Sequence, residues 1–481
     1  MHPFVPVPPR TRPKPTLRRR CTATLAALSL LIATPACADV LLHAFNWKYD
    51  DVTARAQEIA DAGYRIVLVA PAYRSEGSAW WSRYQPQDWR VIHHPLGDTT
   101  DFRDMANALD ARGVRVYADI VFNHMANEAA TRTDLNYPGQ RVLNLYAANP
   151  AYFDAQRLFG NLQQNLLGSA PSSDFGPSIC INDYGSVFQV QNYRLCMGSG
   201  DVGLPDLQGN AWIVSQQKAY LEALKAMKVR GFRIDAAKHM KLAHINAVFD
   251  AGIKSGVHTF GEVITGGGAG NGEYDTFLAP YQQGTDHAAY DFPLHAQLRA
   301  AFAPAGSMSL LVDPGAYGQA LPGARAFTFA VTHDMPLNSI FRGMLLNVGD
   351  ETLAYAYLLG RDGGVPMVYT DQNESGDNRW VDAWKRSDLK AMIGFHNAVQ
   401  GADMQVLAHG ACHLLFRRGN RGIVALNKCG STVNVSVGMS NSVLWWYTDY
   451  RDALGSGSVI NIRSSSYTFT LPARSARMWL R

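Results

Sequence analysis

The chain has 481 residues and a formal net charge of +4. That length exceeds one simple core and predicts a large domain with one or two attached units. The first 38 residues carry six positive charges and no acid, so removing them from +4 leaves −2 for the rest. This excludes a basic protein built for nucleic acid and fits an uncharged polymer.

Chain order begins with that basic head, Arg10 to Arg20, then an apolar stretch from about Ala23 to Ala33, then Ala36-Cys37-Ala38. The order reads as a secretory signal peptide over 1–38, with the mature chain starting near Asp39. The apolar run is short for a bilayer span, so no stable membrane anchor is expected. Cys37 raises a lipoprotein reading, but Thr34-Pro35-Ala36 is a poor lead-in for lipidation.

Short β-like runs alternate with helical patterns. Strands are predicted at Leu41–Phe45, Arg65–Val69, Val114–Val121, Phe232–Ile234, Val257–Phe260, Ala289–Phe292, Ala326–Val331 and Val365–Tyr369. Helical patterns cover Val52–Ala62, Phe102–Ala111, Ala211–Met227 and Ala243–Ala251. Eight strands separated by helices predict an α/β fold, a closed (β/α)₈ TIM barrel over 39–124 and 211–398. No GxGxxG follows the first strand, which argues against an open dinucleotide-binding sheet. Residues 125–210 break the rhythm and are read as an irregular domain inserted after strand 3. The run Gly266-Gly267-Gly268-Ala269-Gly270 lacks the residues of a phosphate loop and is read as a mobile loop beside a cleft.

From about 399 to 481, alternating runs at Arg421–Leu426, Val433–Val437, Val443–Tyr447 and Tyr467–Leu471 predict a C-terminal antiparallel β-sheet domain. Four cysteines follow Asp39, in two close pairs, Cys180 with Cys196 and Cys412 with Cys429. In an exported chain they suggest disulfides, and a turn over 418–422 places Cys412 opposite Cys429. CxxC spacing, as in many zinc sites, is absent.

Three acids end barrel strands: Asp235 in GFRID, Glu262 in TFGE and Asp334 in FAVTHD. Loops at that end of a barrel build active sites. Glycosidic cleavage needs an acid for the leaving oxygen and a nucleophile or activated water for the anomeric carbon. In a retaining enzyme the two working carboxyls stand roughly 5–5.5 Å apart. Arg233 shares a strand face with Asp235 and is expected to favour its ionised form. Glu262 then holds the proton, and Asp334 binds sugar hydroxyls. His124 and His333 follow strand runs directly and are placed to donate to hydroxyls. No HExxH motif supports a metal triad among the histidines.

Six segments in order resemble the α-amylase family of glycoside hydrolases: WWSRYQP (80–86), DIVFNH (119–124), LPDL (204–207), GFRIDAAKH (231–239), GEV (261–263) and FAVTHD (329–334). The resemblance spans nearly the whole mature chain. It implies endo-hydrolysis of α-1,4 bonds in starch-like glucans and maltooligosaccharides with retention, by Asp235 as nucleophile, Glu262 as acid/base and Asp334 as transition-state stabiliser. It also implies sugar contacts from Tyr84, His124, Arg233, Lys238, His239 and His333, with Trp80 and Trp81 lining the cleft. A structural Ca²⁺ is implied, held by side-chain oxygens of Asn123 and Asp206 and backbone carbonyls of Gln191 and His239. Thr332 stands where chloride-dependent members carry Asn, so chloride dependence is not expected. The working unit is expected to be a secreted monomer. Transglycosylation and non-catalytic glucan binding are the alternatives. Trp445 and Trp446 are read as core packing in preference to a second sugar surface.

Overall fold

The computed structural model describes residues 39–198, 200–439, 444 and 448–481. The signal peptide reading of 1–38, most of the strand expected at Val443–Tyr447, and Trp445 and Trp446 lie outside the described residues.

Eight parallel strands among the described residues close into a barrel in sequential order. They are β1 (Leu41–Ala44), β2 (Ile66–Val69), β3 (Arg115–Ile120), β4 (Val229–Ile234), β5 (His258–Gly261), β6 (Ala288–Tyr290), β7 (Ala326–Phe329) and β8 (Val365–Thr370). The closing pair sets Leu41 against Met367 on β8, while the other edge of β1 sets Leu41 against Ile66.

Helices follow the strands: α1 (Tyr49–Asp61), α2 (Thr99–Asp110), α3 (Ala211–Ala226), α4 (Leu242–Val248), α5 (Ala279–Gly284), α6 (Phe292–Phe302), α7 (Val348–Gly360) and α8 (Ser387–Ala398). Local chemistry sets their starts. Asp98 and Asp101 form a capping box at α2, and Asn210 caps α3 through the Ile213 amide. The expected strand Ala289–Phe292 ends early for the same reason. Asp291 accepts from the Leu294 amide and Pro293 sits in the first turn, so the chain enters α6 there. The helix expected at Ala243–Ala251 breaks at Phe249, because Asp250 caps a new short helix, Ala251–Lys254.

Strand alternation divides the barrel side chains into two sets. Leu42, Val67, Val116, Phe232 and Ile234 join the layer between barrel and helices. Leu41, Ile66, Leu68, Tyr117, Phe260 and Phe327 fill the interior, where Phe260 and Phe327 stack with centroids 3.8 Å apart. Gly231 makes room for Tyr117, since a Cβ there would lie 2.5 Å from the Tyr117 ring. This apolar layer is the floor on which the polar inward residues stand.

Between β3 and α3 the chain is not purely irregular. It carries short helices at Gln140–Ala148, Pro150–Gln156, Pro171–Asp174 and Val187–Val190. Val142, Tyr146, Phe153 and Leu162 form a small core with Val91. Their periodicity is too short to stand out in the sequence. Cys180 and Cys196 are disulfide-bonded in this segment.

The C-terminal unit has β9 (Met404–His409), β10 (His413–Arg418), β11 (Gly422–Asn427), β12 (Val433–Gly438), β13 (Asp449–Asp452), β14 (Val459–Asn461), β15 (Ser466–Leu471) and β16 (Ser475–Leu480). Six of them form a sheet ordered β9-β10-β11-β16-β13-β14, and β12 pairs with β15. Leu414, Phe416, Val424 and Met478 face the barrel layer, while Leu415, Ile423, Phe469 and Trp479 build the unit's own core. The Cys412–Cys429 bond closes the open end of the β10–β11 hairpin, as the turn position predicts. A bridge of this loop length stabilises by roughly 2–4 kcal/mol.

Lys428, next to that bond, ties the unit to the barrel. Its ammonium donates to the carbonyls of Ala301 (2.7 Å), Ala303 (2.8 Å) and Gly306 (2.6 Å). These lie at the C-terminal end of α6, where a cation also meets the helix dipole. Lys428→Met is expected to lower unfolding stability by about 1–3 kcal/mol, because it strands buried carbonyls. Denaturant unfolding followed by circular dichroism checks this, and an unchanged midpoint would remove Lys428 from that role.

Candidate active site

The site is built by strand ends. Asp119 on β3, Arg233 on β4, and Asp235 and Glu262 just past β4 and β5 share the inward parity of Tyr117, Gly231 and Phe260 below them. The Arg233 guanidinium is fully buried. Its Nη1 donates to Asp119 Oδ2 at 2.5 Å and to Asp235 Oδ1 at 3.0 Å, and its Nη2 donates to Glu262. The Ala236 amide donates to the other Glu262 oxygen at 3.2 Å. Asp334, past β7, lies within hydrogen-bonding reach of Glu262. The structure thus brings the three expected acids together.

The expected pairing of Arg233 with Asp235 is present, and the structure adds a residue. The guanidinium is also shared with Glu262 and Asp119, so it favours the charged form of all three. Asp119 was not singled out from the sequence. Its signal was present: it heads the DIVFNH segment and sits two residues from inward-facing Tyr117.

Burial raises the pKa of each acid, and Arg233 opposes that in every case. Asp119 is pushed up to about 6. Asp235 is pushed well above the carboxylate range, with its acidic neighbours adding to burial. Glu262 and Asp334 are raised by burial too. Burial alone would lower the Arg233 pKa, but the surrounding acids outweigh it and keep the guanidinium charged. Four acids around one cation cannot all ionise together. The cluster can therefore hold a proton and present a carboxylate in the same cavity.

One wall is aromatic. Tyr84 and Phe45 each stack on the His333 ring, with centroids at 5.3 Å and 4.8 Å. Trp80 meets His333 edge-on at 6.1 Å. Trp81 stands half exposed at 52%, outside that ring cluster. The Tyr84 hydroxyl donates to Asp119 at 3.0 Å. His333 is drawn down to about 3 by burial, with Arg233 adding, and stays neutral. Its Nε2 lies 3.5 Å from Asp334.

His124, expected to donate to sugar hydroxyls, supports the wall beside the site. Its ring contacts the Tyr84 carbonyl at 3.0 Å and the Asn123 amide at 3.3 Å, so it holds the backbone of the Tyr84 wall. Lys238 is also engaged. It donates to Glu273 at 2.8 Å and to the Ile264 carbonyl at 3.2 Å. Glu273 accepts from the Gly266 amide, and Ala269 is bonded to Gly318 and Gln319. The Gly-rich run expected to be mobile is pinned at both points. His239 contacts the Val190 carbonyl at 3.2 Å and lies edge-on to Tyr184.

The expected cation ligands adjoin this site. Met125 N bonds Pro205 O and Leu207 N bonds Asn123 O, which zips 123–125 against 205–207. Asn123 and Asp206 are both buried, and a β-bridge pairs Asp206 with His124, the residue after Asn123. Burial pushes Asp206 up to about 8, and the Gln208 amide donates to it at 3.1 Å. Among the described residues no group of three or more His, Cys, Asp or Glu side chains suits a metal. A cation here would rest on one carboxylate with amide and carbonyl oxygens, a hard set that fits calcium.

A family model described as the α-amylase catalytic domain matches residues 49–259. An α-amylase from Aeromonas hydrophila is 55% identical over 453 residues, covering 94% of this chain and 97% of that protein. The chain belongs to the α-amylase family. It is a glycoside hydrolase. The crystal structure of α-amylase I from Eisenia fetida superposes with a TM-score of 0.70 at 22% identity, covering 92% of this chain and 97% of that one. A variant of the same Eisenia fetida enzyme, solved with maltohexaose, superposes equally well at 21% identity. At these identities the likeness supports the fold of an α-amylase family member, and the sequence relative carries the family.

His124 yields a pH prediction. Burial lowers its pKa from 6.5 to about 4. The folded ring stays neutral where the unfolded one takes up a proton. Its contribution is present above 6.5 and is lost as pH falls from there through about 4. The loss is up to about 3 kcal/mol. His124→Gln is expected to show a shallower fall in stability between pH 6.5 and 4 than the unmodified protein, read from urea midpoints. Parallel curves would remove His124 from that acid sensitivity.

Proposed function

We propose that this enzyme cuts internal α-1,4 bonds of starch, glycogen and maltooligosaccharides by double displacement with retention. The observation that carries this is the shared guanidinium. Asp235 and Glu262 both bond to Arg233, which brings the proposed nucleophile and the proposed proton donor to one guanidinium and supports the closely paired carboxyls of a retaining site.

In the first step the Glu262 proton passes to the bridging oxygen while the Asp235 carboxylate bonds to the anomeric carbon. The C–O bond breaks and the leaving chain departs with that proton. In the second step water gives a proton to the Glu262 carboxylate, and its oxygen displaces Asp235 from the anomeric carbon. Asp334 stabilises the oxocarbenium-like ring through its charge and its reach to sugar hydroxyls. Its contact with Glu262 supports a proton held on that side of the cluster. Tyr84 offers its ring face to the sugar, with Trp80, Trp81 and His333 beside it. Arg233, His124, Lys238 and His239 order the surrounding polar wall.

The division of labour we propose follows the chain. Residues 39–124 and 211–398 form the catalytic barrel, 125–210 the inserted domain and 399–481 the C-terminal domain. Calcium would be held by Asn123, Asp206 and the carbonyls of Gln191 and His239. When bound it supplies positive charge that fixes the inserted domain against β3 and β4. Among the described residues no helix is long and apolar enough to cross a membrane. The basic and apolar leader supports export, with two disulfides suited to an oxidising compartment.

Asp235→Asn and Glu262→Gln are each expected to lower kcat on soluble starch by about 10²-fold or more with unchanged circular dichroism. Near-normal turnover in either variant overturns its role. Fresh product from maltohexaose should carry the α configuration by NMR, and a β product would contradict the double displacement. Dialysis against a weak chelator is expected to lower the melting temperature, with recovery on adding calcium. A stable, active and calcium-free sample by elemental analysis would remove the cation from the proposal.

A further inference from the structure

A cavity of about 530 Å³ opens on the inserted segment and shares no residue with the acid cluster. Its size lies in the range of small-molecule sites. Leu135, Pro171, Phe175 and Pro177 give it apolar walls, and Arg194 lines it from below. Arg194 is only 6% exposed. Its backbone is fixed by bonds to Ile179 and Ile181, beside the Cys180–Cys196 disulfide.

The charge of Arg194 is poorly compensated. Nη1 donates to the Val202 carbonyl at 3.3 Å, and the buried Nε has no partner. Among the described residues the acidic groups acting on it are the Tyr137 hydroxyl and the Asp206 carboxyl, and neither holds an ion pair with it. Asp206 is also the carboxylate of the proposed calcium shell. A buried cation without a counter-ion is costly, and an anion entering from the open side would relieve it. A planar guanidinium pairs best with a carboxylate or phosphate group. The apolar walls select within that class, because a fully hydrated inorganic anion gains nothing from proline and phenyl surfaces.

Gly176 lets the chain pack closely on the cavity floor. It lines the cavity, and a Cβ there would meet the Gln208 amide at 2.7 Å and the Asn192 carbonyl at 2.9 Å. The position tolerates no side chain without rearranging the floor.

We infer that this cavity binds a small organic monocarboxylate, its anionic head on Arg194 and its apolar body against Leu135, Phe175 and the two prolines. The site is separate from glucan cleavage and does not depend on the roles proposed for the acids.

Benzoate is the probe, with benzyl alcohol as its uncharged counterpart, both titrated by calorimetry into the full protein at constant ionic strength. Arg194→Met removes the cation. Ser178→Trp fills the rim from an exposed position and leaves Arg194 intact, so it guards against a folding defect. Saturable benzoate binding is expected in the unmodified protein, weaker by about tenfold or more in both variants. Benzyl alcohol is expected to bind at least as weakly as benzoate binds the variants. Starch hydrolysis by Ser178→Trp is expected to be unchanged. Absence of saturable benzoate binding, equal binding in the variants, or equal binding of benzyl alcohol would each overturn the inference.

Discussion

The site depends on one buried cation. Arg233 sits at the centre of the barrel mouth with no exposed surface and three carboxylates on its two terminal nitrogens. A lone guanidinium there would cost several kcal/mol, and so would any one of the acids without it. Held together, they give a cavity whose total proton count is set by mutual repulsion and not by solvent. That is the condition glycoside cleavage requires, since one group must be acid while its neighbour is base. Tyr84 extends the same network outward, because its hydroxyl is anchored on Asp119 and its ring on His333.

Most of the barrel was legible because its signals are local. Alternation of strands and helices and acids at strand ends can both be read from neighbours a few positions apart. The paired cysteines were legible for a similar reason, since the turn over 418–422 brings Cys412 and Cys429 opposite one another. Strand ends located Asp235, Glu262 and Asp334, and the family motifs then implied their roles.

What escaped the sequence is long-range. Arg233 was assigned to Asp235 because the two are neighbours in the chain, yet it reaches Glu262 and Asp119 on the flanking strands. Asp119 itself looked like part of a strand run, and its role emerges only where β3 meets β4. His124 was read as a donor to sugar hydroxyls, and the contact of its ring with the carbonyl of Tyr84, 40 residues earlier, was not visible. Strand β16 was missed as well. SARMWL alternates weakly, and its place in the middle of a sheet follows from pairing with β11 and β13.

Strand β4 also limits how this chain can change. Its inward faces are Gly231, then Arg233, with Asp235 just beyond, and the faces between them belong to Phe232 and Ile234. Adding or deleting one residue inside β4 would swap the two sets. The guanidinium would turn into the greasy shell under the helices, and phenyl and sec-butyl groups would plug the mouth. The loops beyond its C-terminal end face no such parity. Length changes are therefore expected to be tolerated in the connections and not within the six residues of β4.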